Sequence, residues 1–121
     1  MSKNKELAIE IYNWCKKNEL WGDNCMYFDG VAWASWKTWY GVQGKEIDDN
    51  LYEYENKNPV NCFEYANPDT FSMSFEGALN HVLNAYVPGW IKLEEELNQI
   101  FYKYDYYFEM GHSWNLSAYE M

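Results

Sequence analysis

The stretch NCMYFDGVAWASWKTWY, residues 24–40, contains the local signal that decides the fold. Asp29 and Gly30 separate two runs of residues that favour strands, and an Asp-Gly pair in this position is typical of a type I′ hairpin turn. The turn requires positive φ at both central residues, a conformation that Gly adopts freely and that Asp tolerates better than most residues. We therefore predict two antiparallel strands over residues 24–28 and 31–40.

The predicted turn also fixes which side chains share a face of the hairpin. Phe28 should lie opposite Val31, and Met26 opposite Trp33, so these four side chains occupy one face. The other face should then carry Cys25, Tyr27, Ala32, Ala34 and Trp36. We interpret Trp33 as a core residue, and the small alanines of the second face predict that a helix packs closely there.

Hydrophobic periodicity elsewhere predicts four helices and three more strands. The predicted helices cover residues 2–18, 45–57, 79–86 and 90–104. The predicted strands cover residues 70–75, 106–110 and 114–119, with the last two joined around Gly111 and a connecting loop at residues 59–68. We expect a single α+β domain over residues 1–121, with a largely antiparallel sheet of about five strands, two hairpins plus one strand, and about four helices packed mainly on one face.

The charge of the chain argues against several classes of partner. Its 121 residues include 19 acidic and 9 basic residues, for a net charge of −10, and every basic residue is lysine. Because arginine is the favoured side chain for bidentate contacts with phosphate, this composition argues against direct nucleic-acid binding. It argues equally against an anionic membrane surface, and no apolar run is long enough to span a bilayer. We expect a cytoplasmic protein whose partner is a protein with a basic surface.

The sequence contains no motif that dictates a chemistry. The 3 cysteines show no C-x-x-C spacing, which suits reduced thiols, and neither His81 nor His112 has a second metal ligand at helical spacing. No glycine-rich phosphate-binding loop is present. We therefore predict no catalytic residue, no cofactor and no metal ion.

Three alternatives to a dedicated binding protein stay open at this point. An enzyme or ligand-binding site can assemble in space from Cys62, His81 and a carboxylate. Trp36, Trp39 and Tyr40 can form a sugar-binding platform if they are exposed together. The third alternative is a structural role through dimerisation at an exposed sheet edge.

The most unusual pattern is the crowding of carboxylates in the predicted helix at residues 45–57. The acids are Glu46, Asp48, Asp49, Glu53 and Glu55, with Lys45 as their lysine neighbour. Like charges one turn apart destabilise a helix by a few tenths of a kcal/mol each. One helical turn rises about 5.4 Å, so carboxylates one turn apart are separated by a distance of the same order as that between successive phosphates of a nucleic acid. We predict that these acids bind the partner, with Tyr52 and Tyr54 exposed beside them as aromatic anchors.

These features resemble, at the level of class only, the small acidic proteins of phages and mobile elements that antagonise host defence, such as anti-CRISPR and anti-restriction DNA mimics. The abundance of Asn, Lys, Tyr and Ile without arginine is typical of AT-rich genomes. The resulting hypothesis is a non-enzymatic inhibitor that blocks a nucleic-acid-binding protein through a negatively charged surface. The resemblance covers no motif and implies no site residue.

Overall fold

The computed structural model describes residues 2–55 and 70–121. Within these ranges the chain forms both helices and strands. The helices are α1 (Lys3–Lys17), α2 (Ala78–Leu83) and α3 (Trp90–Lys103). The strands are β1 (Asn24–Phe28), β2 (Val31–Ala34), β3 (Thr38–Trp39), β4 (Val42–Gln43), β5 (Lys45–Asp48), β6 (Leu51–Glu55), β7 (Ser72–Phe75), β8 (Tyr106–His112) and β9 (Asn115–Glu120).

The main sheet has the strand order β5-β6-β2-β1-β7-β9-β8, and its neighbouring strands are antiparallel. Strands β3 and β4 form a separate two-stranded ribbon. The prediction of an α+β fold with a largely antiparallel sheet is confirmed. The predicted numbers of elements are wrong, because the described residues form a main sheet of 7 strands where five were expected and three helices where four were expected.

The helix predicted over residues 45–57 is wrong, because its described part is a hairpin of β5 and β6. The turn lies at residues 49–50, where Asn50 has a φ of 53°. Strand β6 also pairs with β2, and this pairing buries Tyr52 and Tyr54 against the alanines of β2. The helical spacing of the apolar residues was misleading here. Pairing with a neighbouring strand is a tertiary interaction, and the periodicity of a short segment carries no information about it.

The predicted hairpin of β1 and β2 is confirmed. Asp29 and Gly30 both have positive φ, 48° and 78°, as the predicted turn requires. The two strands pair in the predicted register, in which Met26 lies opposite Trp33. Strand β2 ends at Ala34, earlier than predicted, and the chain then leaves the main sheet to form the β3–β4 ribbon.

One face of the main sheet packs against α1, α2 and α3, as predicted. Ser2 caps the N-terminus of α1, and its side-chain oxygen accepts a hydrogen bond from the backbone N–H of Lys5. The largest fully buried side chains between the helices and the sheet include Leu7, Ile11, Phe71, Phe75 and Phe101. No helix within the described residues is long and apolar enough to cross a bilayer.

The second face of the sheet is covered differently from the prediction. Its buried cluster consists of Cys25, Tyr27, Ala32, Ala34, Tyr52 and Tyr54. Among the described residues, Trp36 and Trp39 pack on this cluster in place of the expected helix. Both belong to the segment between β2 and β5, and the Trp39 ring lies 5.5 Å from the Tyr54 ring. Gly44 lets the chain return closely, because a Cβ there would lie only 2.7 Å from the Cβ of Tyr52.

The C-terminal part of the chain contains an interior strand of the sheet, β7, and the last hairpin. Strand β7 is flanked by β1 and β9, and all four of its residues are buried, including Ser72 and Ser74. The last hairpin turns at residues 113–114 instead of at Gly111, which lies at a bulge in β8. The loop predicted at residues 59–68 lies outside the described residues.

Candidate functional site

The carboxylates singled out from the sequence lie on the β5–β6 hairpin at one edge of the main sheet. Strand β5 is the edge strand, and all four of its residues are exposed, including Glu46 and Asp48. Asp49 is exposed in the turn, Glu55 is exposed on β6, and Glu53 is half-buried. Glu46, Asp48 and Asp49 therefore follow one exposed edge and turn, although Glu46 and Asp48 pair with Tyr52 and Leu51, which are buried on opposite faces of the sheet.

The strand register separates Glu53 from Glu46. Glu53 lies opposite both Lys45 and Trp33, and its Oε1 accepts a hydrogen bond of 2.9 Å from the indole Nε1–H of Trp33. Glu46 lies opposite Tyr52, and side chains of successive strand residues point to opposite faces of a sheet. The five acids therefore do not form the single helical face that was predicted.

Tyr52 and Tyr54 are buried, so the prediction that they are exposed anchors is wrong. Their exposed fractions are 9% and 3%. Burial, followed by the charge and hydrogen bonding of Glu46, raises the pKa of Tyr52. The Tyr54 hydroxyl donates a hydrogen bond of 2.7 Å to the backbone carbonyl of Trp36. Both tyrosines support the hairpin from the second face of the sheet.

Two aromatic donors hold the acidic turn against the rest of the fold. The Tyr12 hydroxyl donates to the backbone carbonyl of Asp49, and the Trp21 indole donates to that of Asn50 at 2.7 Å. The Tyr12 and Trp21 rings meet edge to face, with centroids 5.1 Å apart. Inside the turn, the Asp48 carboxylate accepts a hydrogen bond of 2.8 Å from the Asp49 N–H. The turn is thus fixed before any partner arrives.

Positive charge near the turn is sparse. Lys16 Nζ lies 5.1 Å from the centre of the Tyr12 ring, and its pKa is raised, first by its hydrogen bond with Tyr12 and further by the charges of Asp48 and Asp49. Within residues 2–55 and 70–121, no lysine lies within salt-bridge distance of Glu46, Asp48 or Asp49. Among the described residues these three carboxylates therefore form no ion pair, and the charge of Lys16 offsets only part of theirs.

An open groove of about 450 Å³ separates α1 from the β5–β6 hairpin. Its apolar and aromatic lining consists of Ile9, Tyr12, Trp33, Ile47 and Leu51. Its polar lining consists of Lys5, Asn13, Lys45, Asp48 and Glu53. A second groove, of about 740 Å³, includes Trp14 and Glu96, which are joined by an indole-to-carboxylate hydrogen bond of 3.0 Å.

The residues of the alternative sites are placed as follows. Trp36 and Trp39 are half-buried with ring centroids 5.1 Å apart, and Tyr40 is exposed with its ring 6.1 Å from Trp39. His81 is exposed on α2, and Cys62 lies outside the described residues. In the part of the chain that the structure describes, no three His, Cys, Asp or Glu side chains are grouped so that they could hold a metal ion.

Tyr12, Trp21 and Trp33 belong to the site but are not predicted from the sequence as site residues. The hydrogen bonds from Tyr12 and Trp21 to the turn span 37 and 29 residues, a separation at which local patterns are uninformative. One signal for the hairpin itself does exist. The run Asp48-Asp49-Asn50 is typical of turns, and it separates two runs with strand-favouring residues.

Comparisons with protein-family models, curated proteins and solved structures found no match to this chain. Evidence for its function therefore comes from the charges, contacts and exposure of its own residues. The exposed acidic edge and the adjacent groove are the two features of the described surface that bear most directly on binding.

Proposed function

We propose that this chain is a small acidic binding protein that blocks a nucleic-acid-binding protein by covering its basic surface with the β5–β6 hairpin. The contact residues in this proposal are Glu46, Asp48, Asp49, Glu53 and Glu55. It is the kind of inhibitor that phages and other mobile elements direct against host defence. The inhibitor acts in a reducing cytoplasm, where the buried thiol of Cys15 stays reduced, and its action requires neither a cofactor nor a metal ion.

The observation that supports this proposal is the exposed negative charge at the sheet edge. Glu46, Asp48 and Asp49 are exposed, and none of them has a lysine within salt-bridge distance in the described ranges. A net charge of −10 already keeps the protein soluble, so solubility does not explain why three acids lie within four residues at one edge. Such an edge attracts a basic surface and speeds its encounter with the protein.

The hairpin does not keep the phosphate-like spacing that the helix was expected to provide, because the pairing of β5 with β6 shifts register between Glu46 and Asp48. Its contribution is to hold the acidic turn in one place on the surface. The turn is already held by Tyr12 and Trp21, so binding does not have to order it. Because the turn loses little conformational freedom on binding, less of the free energy of the electrostatic attraction is spent on ordering it, and the affinity is higher.

A competition assay tests the proposal. Purified DNA-binding enzymes, including CRISPR and restriction nucleases, are loaded with a fluorescent DNA duplex, and the protein is titrated against each complex. We expect displacement of DNA from at least one enzyme, with an affinity that falls at least about tenfold between about 50 and 200 mM salt. Displacement that is insensitive to salt, or no displacement from any enzyme tested, contradicts the proposal.

A matched pair of variants separates the hairpin from overall charge. The triple variant E46Q/D48N/D49N removes three charges from the edge and turn. The control variant E76Q/E95Q/E109Q removes three charges from exposed positions outside the hairpin. Only the first variant should weaken displacement by about tenfold or more, since rim charges act over short distances at physiological salt. Equal losses would show that net charge, and not the hairpin, produces the effect.

A further inference from the structure

The groove between α1 and the β5–β6 hairpin is formed before binding. Tyr12, Trp33 and Leu51 line it, and each of them is also a member of the main buried core. Trp33 is fixed further by its hydrogen bond to Glu53 and by its edge-to-face contact with Phe28, at 4.9 Å between ring centroids. The floor of the groove is therefore rigid, while its mouth is open to solvent.

The two ends of the groove differ in charge. The contact of Tyr12 with Asp49 places the middle of α1 beside the acidic turn, so Asp48 lies at that end. Lys5 lies about two helical turns earlier on α1, and Lys45 is paired with Glu53 at the start of the hairpin. The turn end thus holds Asp48 and adjoins Asp49, with Lys16 close to both acids, whereas Lys5 and Lys45 lie toward the other end, where Glu53 is opposite Lys45.

We propose that this groove receives one bulky apolar side chain of a basic partner segment, with the partner's Lys or Arg residues lying against the acidic turn. The volume of about 450 Å³ lies in the range of sites that hold small molecules or single large side chains. The apolar floor supplies the binding energy, and the negative turn end selects the neighbouring cation. The inference rests on the proposed function, since it names the feature of the basic partner that the hairpin recognises.

The lysines at the far end give the bound segment a direction. A cation is favoured beside Asp48 and Asp49, whereas at the other end the two charges of Lys5 and Lys45 exceed the single opposite charge of Glu53 and disfavour it. The segment should therefore carry its basic residues on one side of the apolar residue only. A segment of the same composition with the basic residues in reverse order should bind with a different affinity.

Short synthetic peptides test the groove without knowledge of the partner. The probes are acetyl-Ala-Phe-Arg-Arg-amide, its reversed form acetyl-Arg-Arg-Phe-Ala-amide, and versions with Phe replaced by Ala or with both Arg replaced by Glu. The readout is the indole N–H signal of Trp33 in two-dimensional ¹H–¹⁵N NMR spectra, because that group lies in the groove and donates to Glu53. The Trp14 indole, which donates to Glu96 in the second groove, is the internal reference.

We expect one Phe-Arg-Arg order to shift the Trp33 signal saturably, with at least about tenfold higher affinity than its Ala or Glu counterpart. The Trp14 signal should stay unchanged. Binding that does not distinguish Phe from Ala, or no saturable shift of Trp33 with any probe, overturns the inference about the groove. The competition assay with DNA can still succeed in either case, so the two proposals fail separately.

Two matched substitutions fill one groove at a time. Asn13→Phe places a ring in the groove beside the hairpin, and Gln99→Phe places one in the second groove, both at exposed polar helix positions. Only Asn13→Phe should abolish the Trp33 response to the peptide, with melting temperatures showing that both variants fold. If the peptide still binds Asn13→Phe as it binds the original protein, the groove is not its site.

If Glu46→Gln, Asp48→Asn and Asp49→Asn together leave peptide affinity unchanged, the groove binds apolar groups but the basic-partner proposal fails.

Discussion

The Tyr12 hydroxyl donates a hydrogen bond to the backbone carbonyl oxygen of Asp49 and so ties the middle of α1 to the acidic turn. The two residues are 37 positions apart in the sequence. We predict that Tyr12→Phe lowers the free energy of unfolding by about 1 kcal/mol, because a partly buried hydrogen bond of this kind is worth about that much. Chemical denaturation of the two proteins measures the difference.

The same substitution should loosen the turn selectively. Amide hydrogen exchange at Asp49 and Asn50 should become faster in Tyr12→Phe, since one of the two bonds that hold the turn is lost. Tyr106→Phe is the matched control, because Tyr106 makes an equivalent bond to the side chain of Asn4, away from the turn. Unchanged exchange at the turn in Tyr12→Phe would show that Trp21 alone is enough to hold it.

The fold could be predicted from sequence where the signals are local. The Asp29-Gly30 pair fixed both a turn and a register, because the backbone conformation of a type I′ turn depends on those two residues themselves. The helix wrongly predicted at residues 45–57 shows the limit of this reasoning. Leu51 and Tyr54 fit a helical repeat. The pairing of β6 with β2, however, buries Tyr52 and Tyr54 on the same face, and residues two apart share a face only in a strand.

The candidate site was predictable to a smaller extent. The exposure of Glu46, Asp48 and Asp49 follows from their charge and crowding, and the structure places them on an exposed edge. The groove and its rigid floor could not be predicted from the sequence, because they form only when α1 and the hairpin lie side by side. That arrangement depends on contacts such as the one between Tyr12 and Asp49, which no local pattern encodes.

A second prediction concerns acid stability and Glu10. Partial burial alone would raise the pKa of the Glu10 carboxyl, but hydrogen bonds from Lys103 and Tyr104, both 2.6 Å, and the charge of Lys103 outweigh it. The pKa of folded Glu10 therefore lies below its ordinary value of 4.5. Ionised Glu10 stabilises the folded state above that ordinary value, and this contribution is lost as the pH falls through the lowered pKa.

The Glu10→Gln variant isolates this contribution. Melting temperatures of the two proteins should differ most near neutral pH, and the difference should shrink as the pH falls below about 5. Glu95→Gln is the matched control, since Glu95 is an exposed carboxylate on α3. A difference between the original protein and Glu10→Gln that stays constant down to about pH 3 contradicts a lowered pKa.

A third prediction concerns the reactivity of Cys15. Its side chain lies in the core on α1, and burial raises its pKa to about 12. At about pH 8 the reactive thiolate is therefore almost absent and the sulfur is shielded from solvent. Native protein treated with iodoacetamide should show little alkylation of Cys15 by peptide mass spectrometry, whereas protein unfolded in urea should be alkylated fully. Rapid native labelling would mean that α1 opens readily.

The last prediction compares two glycines that differ in backbone conformation. A Cβ added at Gly30 or at Gly22 meets no atom within 4 Å, so neither substitution by alanine causes a steric clash. Gly30 has a φ of +78° in the β1–β2 turn, whereas the φ of Gly22 lies outside the left-handed region. Gly30→Ala should lower the free energy of unfolding by about 1 to 2 kcal/mol, since an L residue is strained there. Gly22→Ala should change it by less than about 0.5 kcal/mol or stabilise the protein slightly. Equal effects in denaturant titrations would show that the turn conformation does not govern the stability of this hairpin.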